Sequence, residues 1–106
     1  MTIFKVETYI IKPEKQEEYM ALVKKWTAYM KNKEKCKELK SWKLFSQMIG
    51  GTTGAYFEMG EFENLADFEK LMDRIEKDKE FQTIMSSWNS SVVLGTYSIS
   101  IWKSVP

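Results

Sequence analysis

At 106 residues the chain has room for one hydrophobic core and not two, because a domain of this size removes about two-thirds of its unfolded surface from water. An apolar share of 43% with 29% charged residues excludes a disordered chain, and a net charge of +1 excludes the strong field of a protein built to hold nucleic acid or anionic lipid. The absence of histidine removes the commonest general base, metal ligand and haem ligand together.

Ile3 to Ile11 alternates, with Phe4, Val6 and Ile10 on one side and Lys5, Glu7 and Tyr9 on the other, which predicts a strand with apolar packing on one face. Pro13 presets the backbone for a first helical turn, and Glu14, Glu17 and Glu18 suit a helix N-terminus. Tyr19, Leu22, Val23, Trp26 and Met30 then recur at helical spacing, so a helix is expected to run to about Lys31. The charged run Asn32 to Glu38 reads as solvated connection. Leu39 to Met48 alternates again, setting Trp42, Leu44 and Met48 against Ser41, Lys43 and Gln47. Gly50, Gly51 and Gly54 form a hairpin loop, not a phosphate cradle, since no lysine-serine pair follows and the segment leads into a strand. That strand, Ala55 to Phe62, has Ala55, Phe57 and Met59 on one face and Tyr56, Glu58 and Phe62 on the other.

Asn64 with Asp67 three residues on reads as a helix cap ahead of Leu65, Phe68, Leu71, Met72 and Ile75. Asp78 reads as a second cap ahead of Phe81, Ile84, Met85 and Trp88, a stripe out of phase with the first; two short helices, or one kinked helix, are expected. Val92 to Trp102 is expected to close the chain as a strand. The order βαββαβ over residues 1–106 predicts one α+β domain of ferredoxin-like topology, an antiparallel sheet with both helices on one face. The other face, carrying aromatic and aliphatic side chains, needs a cover.

These segments resemble the dimeric α/β-barrel superfamily, in its NIPSNAP-like and antibiotic-biosynthesis-monooxygenase-like branches. The run Phe4-Lys5-Val6-Glu7-Thr8-Tyr9-Ile10-Ile11-Lys12-Pro13-Glu14-Lys15 is similar to the NIPSNAP opening, a tyrosine-bearing strand followed by a Lys-Pro-Gly-Lys-like turn. Phe62-Glu63-Asn64-Leu65-Ala66-Asp67-Phe68, with Asp78-Lys79-Glu80-Phe81, resembles the second helix and its Asp-Pro-Glu-Phe-like break. Glu7 stands where the family often has arginine, Glu14 stands at its turn glycine, and the haem-binding histidine of one branch has no counterpart. The resemblance implies a homodimer joined through the open sheet faces, a small cavity between sheet and helices in each chain, and activities that often need no cofactor.

With Phe4 and Val6 facing the helices, Lys5, Glu7 and Tyr9 would point at the opposite sheet, joined by Tyr56 and Glu58. Glu7 or Glu58 with a raised pKa could take a proton from an activated carbon or phenol, and Tyr9 or Lys5 could steady the anion. The other reading of the same five residues is cross-strand ion pairing at a dimer interface. Trp26, Trp42 and Trp88 are candidates for lining a pocket for an aromatic or hydrophobic ligand, or for filling the core. Cys36 stands between Lys35 and Lys37 without a base or resolving cysteine, and reads as a bystander thiol. No metal-ligand spacing is present, and no metal or cofactor is expected.

Three functions follow: a cofactor-independent monooxygenase or isomerase, a non-catalytic ligand-binding or stress-associated dimer, and an RNA-recognition domain. The last is disfavoured, because Thr53-Gly54-Ala55-Tyr56-Phe57-Glu58 lacks the basic residue that RNA-binding strands carry and sets a carboxylate on the sheet. The lone cysteine and the want of a leader-like or membrane-spanning apolar run predict a cytoplasmic chain without membrane partners.

Overall fold

The two hydrophobic periods of the sequence separate cleanly into strands and helices. In the computed structural model, which describes residues 2–106, β1 (Ile3–Ile10) leads through a short 3-10 turn (Pro13–Lys15) to α1 (Gln16–Met30). Then come β2 (Leu39–Ser46), β3 (Ala55–Phe62), α2 (Leu65–Ile75), α3 (Lys79–Ser91) and β4 (Ser98–Lys103). The strands form one sheet in the order β2-β3-β1-β4, each neighbouring pair antiparallel. This is the ferredoxin-like α+β arrangement that the element order predicts.

The two caps hold. The side chain of Asn64 accepts the Asp67 N–H at 2.9 Å, and that of Asp78 accepts the Glu80 N–H at 3.0 Å, so α2 and α3 are separate helices with a break between Ile75 and Lys79. The last strand is shorter than its sequence pattern. Val92 makes an isolated bridge to Ile11, Gly95 turns the chain at φ +83°, and pairing resumes only at Ser98. Thr96 occupies the gap, its hydroxyl accepting the Ile10 N–H at 3.1 Å and donating to the Val93 carbonyl at 2.7 Å. Met48 lies beyond the end of β2 and is exposed.

The faces of β1 are the reverse of the sequence expectation. Ile3, Tyr9 and Ile11 are buried, and Lys5 and Glu7, in phase with them, keep only 11% and 12% of their side-chain surface exposed. Phe4, Val6 and Ile10 therefore lie on the open side of the sheet, and Lys5, Glu7, Tyr9, Tyr56 and Glu58 face the helices. The physical reason is that Lys5 and Glu7 satisfy each other, their charged atoms 2.7 Å apart, so two charges fit between apolar neighbours on the inner face. The residues of β3 divide between its faces as expected, but the side is reversed here too: Tyr56, Glu58 and Phe62 are buried on the helix side and do not point at an opposite sheet.

Two clusters make the core. Ile3, Leu22, Trp26, Met30, Phe62 and Leu71 belong to the larger one, and Tyr9, Ile11, Tyr19 and Tyr56 form the smaller. Trp88 packs against both. Cys36 joins the larger cluster at 1% exposure, against the expectation of a solvated connection, because residues 32–38 fold back. The Cys36 N–H bonds the Asn32 carbonyl at 2.8 Å and its thiol lies 3.4 Å from the Tyr29 carbonyl. Burial pushes the thiol up to about 11, more than Arg74 beside it pulls it down, so it is inert as a nucleophile near neutral pH.

Candidate active site

Adjacent antiparallel strands put directly opposed residues side by side, and β1 and β3 pair Glu7 with Glu58 and Tyr9 with Tyr56. Two carboxylates thus stand together on the covered face of the sheet. Glu58, 4% exposed, is held from three directions. Its Oε2 accepts the Tyr9 hydroxyl at 2.8 Å, and its Oε1 accepts the indole N–H of Trp26 at 2.8 Å and that of Trp42 at 3.2 Å. Tyr9 and Tyr19 share a further hydroxyl-to-hydroxyl bond. Glu7 pairs with Lys5 and accepts the Tyr97 hydroxyl at 2.9 Å.

Between this inner face and helices α2 and α3 lies a cavity of about 130 Å³. Lys5, Glu7 and Glu58 form its polar floor with Tyr97 beside them. Trp26, Phe81, Trp88, Met72 and Met85 supply apolar walls. Tyr9 and Tyr97 each meet the Trp88 ring near-perpendicular, with centroids 5.2 Å apart.

Burial sets the electrostatics. It raises the Glu58 carboxyl above the usual carboxylate range, and Glu7 across the strand pair raises it further, against the opposing pull of the Trp26 and Tyr9 hydrogen bonds and of Lys5. Burial likewise raises the Tyr9 phenol, with Glu58 adding to it, and the Tyr97 phenol, with Glu7 adding to it. The phenols stay protonated as donors while Glu58 is poised to hold or release a proton. A carboxyl with that property beside a second carboxylate and an ammonium has the makings of a general acid–base pair.

The structure brings Lys5, Glu7, Glu58, Trp26 and Trp88 to one cavity, with Tyr9 and Trp42 directly behind Glu58. Tyr56 stands apart. It stacks on Tyr9 at 6.0 Å, but its hydroxyl donates to Gln16 at 3.0 Å rather than to either carboxylate. Sequence reasoning passed over Tyr19 and Tyr97 as members of apolar stripes. Their signal was the hydroxyl, which a buried tyrosine must pair with something. Among the described residues no cluster of three or more Asp, Glu and Cys side chains is placed to hold a metal ion, and no helix is long and apolar enough to cross a membrane.

The sequence matches no family model, and no curated protein matches it at a significant level. Solved structures do match in shape. A NIPSNAP family protein from Agrobacterium tumefaciens superposes with a TM-score of 0.79 at 18% identity, covering 99% of this chain and 94% of that one. A dimeric protein of ferredoxin-like fold from Bacteroides fragilis gives 0.70 at 12% identity, covering 97% and 96%. A mutant of SnoaB, a cofactor-independent oxygenase from Streptomyces nogalater, gives 0.72 at 8% identity, covering 97% and 92%. At these identities the likeness is one of fold: the chain has the ferredoxin-like fold shared by NIPSNAP and antibiotic-biosynthesis-monooxygenase proteins, the branch its strand and helix motifs resemble.

Proposed function

We propose that the protein is a homodimer that binds a small, largely apolar molecule between sheet and helices and moves a proton on it without a cofactor. The observation that carries this reading is the Glu7–Glu58 pair at the floor of an otherwise apolar cavity. Glu7 is the better-placed base, because it is only partly buried and held by two partners, Lys5 and Tyr97, whereas Glu58 is buried and accepts three hydrogen bonds. Glu58, holding its proton by burial, is the matching acid. In an isomerisation, Glu7 takes a proton from an activated C–H or O–H and Glu58 returns one at a second atom, with no net redox change. In an oxygenation, dioxygen is the oxidant: a phenol ring gains one oxygen atom as a carbonyl and the second leaves as water with two substrate hydrogens.

The saturation of Glu58 favours a second reading, a non-catalytic binding protein whose buried carboxylate ties α1, β1, β2 and β3 together. Glu7→Gln decides between them. Turnover of phenols and enolisable ketones under air, followed by product formation, is expected to fall in kcat about a hundredfold with KM little changed, the size typical of a lost general base. Turnover at the unaltered rate would remove Glu7 from the chemistry and leave binding alone.

A further inference from the structure

We propose that the ligand of this cavity is a neutral, single-ring molecule carrying one hydroxyl or carbonyl oxygen, and that the indole N–H of Trp88 receives that oxygen. The inference rests on the cavity being a small-molecule site and adds to it the size, charge and polar group of what enters.

Size comes from volume. The space is about 130 Å³, and an apolar protein cavity of about 150 Å³ is known to accommodate benzene. One six-membered ring with a single small substituent therefore fills it, and two fused rings exceed it. Phe81 and Trp26 give flat walls, and Met72 and Met85 give adaptable ones.

Charge comes from the floor. Lys5 is committed to Glu7 at 2.7 Å, so a carboxylate on the ligand would meet two protein carboxyl groups and no free cation. An ammonium on the ligand would have to leave water for a cavity whose carboxylates already have partners. A neutral molecule escapes both penalties.

The polar group comes from Trp88. Among the described residues its indole nitrogen is the one buried side-chain nitrogen or oxygen without a hydrogen-bond partner, whereas Trp26 and Trp42 both donate to Glu58. Buried donors are paired in the great majority of cases, and Trp88 lines the cavity, so an acceptor on the occupant is the partner we assign to its N–H. Tyr9 and Tyr97 both pack near-perpendicular to the ring, with centroids 5.2 Å away. A phenolic hydroxyl suits both sides, accepting from Trp88 while donating toward the Glu7 side of the floor.

The test is a titration of the ¹⁵N-labelled protein with phenol, toluene and 1-naphthol, reading the indole N–H resonances of the four tryptophans, with Trp88 assigned through Trp88→Phe. Phenol is expected to move the Trp88 resonance and to bind about tenfold more tightly than toluene, the effect of one hydrogen bond. Trp88→Phe is expected to abolish that preference, and 1-naphthol to leave the resonances in place. Binding of 1-naphthol in preference to phenol would overturn the size limit while leaving the cavity a ligand site. Phenol binding with an unmoved Trp88 resonance, or with equal affinity in Trp88→Phe, would overturn the role of the indole. Silence of all four indoles toward all three compounds would overturn the binding reading itself. Should Trp88→Phe fail to fold, the wild-type shifts with phenol against toluene decide the matter.

Discussion

Glu58 shows how far a residue's surroundings outrun its identity. A glutamate on a strand reads equally as a surface charge or a buried acid; what makes this one a buried acid is the convergence of Tyr9, Trp26 and Trp42 from β1, α1 and β2, residues far apart in sequence. The five-residue polar group was legible in the sequence because strands that pair bring it together, but its direction was not. Phe4, Val6 and Ile10 on one face of the Ile3 to Ile11 stretch equal in number Ile3, Tyr9 and Ile11 on the other, and a central strand with apolar residues on both faces carries no sign saying which side the helices take. The raised Glu58 carboxyl has a measurable consequence. In the unfolded chain it titrates near 4.5 and in the folded protein higher, so between those values the folded state binds more protons and stability falls as pH rises. Its contribution is complete below about pH 4.5 and is lost as pH climbs through the folded value. Glu58→Gln removes this dependence, while Asp78 and Glu38, whose carboxyls are lowered chiefly by hydrogen bonds from Tyr29 and Arg74, act alike in both proteins. Urea midpoints measured from pH 4 to 9 should show the wild type losing ground to Glu58→Gln as pH increases. A difference that stays flat, or grows in favour of the wild type, would mean that Glu58 is ionised in the folded state across the range.

Elements were read best where local chemistry decides them. Asn64 and Asp78 fix their helices by capping bonds that need only the neighbouring residues, and both starts follow from the sequence. Asn64→Ala should accordingly cost about 1 kcal/mol, lowering the melting temperature by roughly 5 °C for a domain of this size. Asn64→Ser, which keeps a capping oxygen, should recover most of it, and equal losses for both variants would show that the side-chain bond to the Asp67 N–H is not what stabilises α2. Elements fixed by distant partners were misread. The stretch from Val92 to Tyr97 has a strand's composition, but only Val92 bridges to Ile11 and the Val93 N–H to the Ile10 carbonyl, after which the Thr96 side chain, not its backbone, accepts the Ile10 N–H. The charged run around Cys36 looks solvated until Arg74 of α2 is seen to hold it, donating to Glu38 at 2.9 Å and to the Lys35 carbonyl at 2.8 Å. Those bonds draw the segment onto the core and bury the one apolar side chain in it.

At the scale of the molecule the open face of the sheet is the unbalanced feature. Phe45 and Phe57 touch across β2 and β3 with centroids 5.8 Å apart, both exposed, and Trp102 on β4 is 61% exposed opposite Phe4. With Val6 and Met59 these make a continuous apolar strip across all four strands, larger in kind than the scattered apolar residues of an ordinary surface. In the proposed homodimer a second copy is the cover: a two-fold axis joins the same face of both chains, and a stable pair needs only about 800 Å² from each partner. The Bacteroides fragilis protein of the same fold is a dimer. Phe57 sits on β3, in the interior of the sheet, so a lysine there would place an ammonium in the middle of the joined faces without touching the helix side, where Glu58 and the cavity lie. Sedimentation at micromolar concentration should give the mass of two chains for the wild type and of one for Phe57→Lys, with unchanged far-ultraviolet circular dichroism. Because a second sheet in the proposed dimer would also remove water from Phe4, Val6 and Met59, the variant should melt at a lower temperature, and only the wild type should gain stability with protein concentration. A wild type that sediments as one chain, or a Phe57→Lys variant that remains paired, would show that copies of this chain do not meet through the sheet.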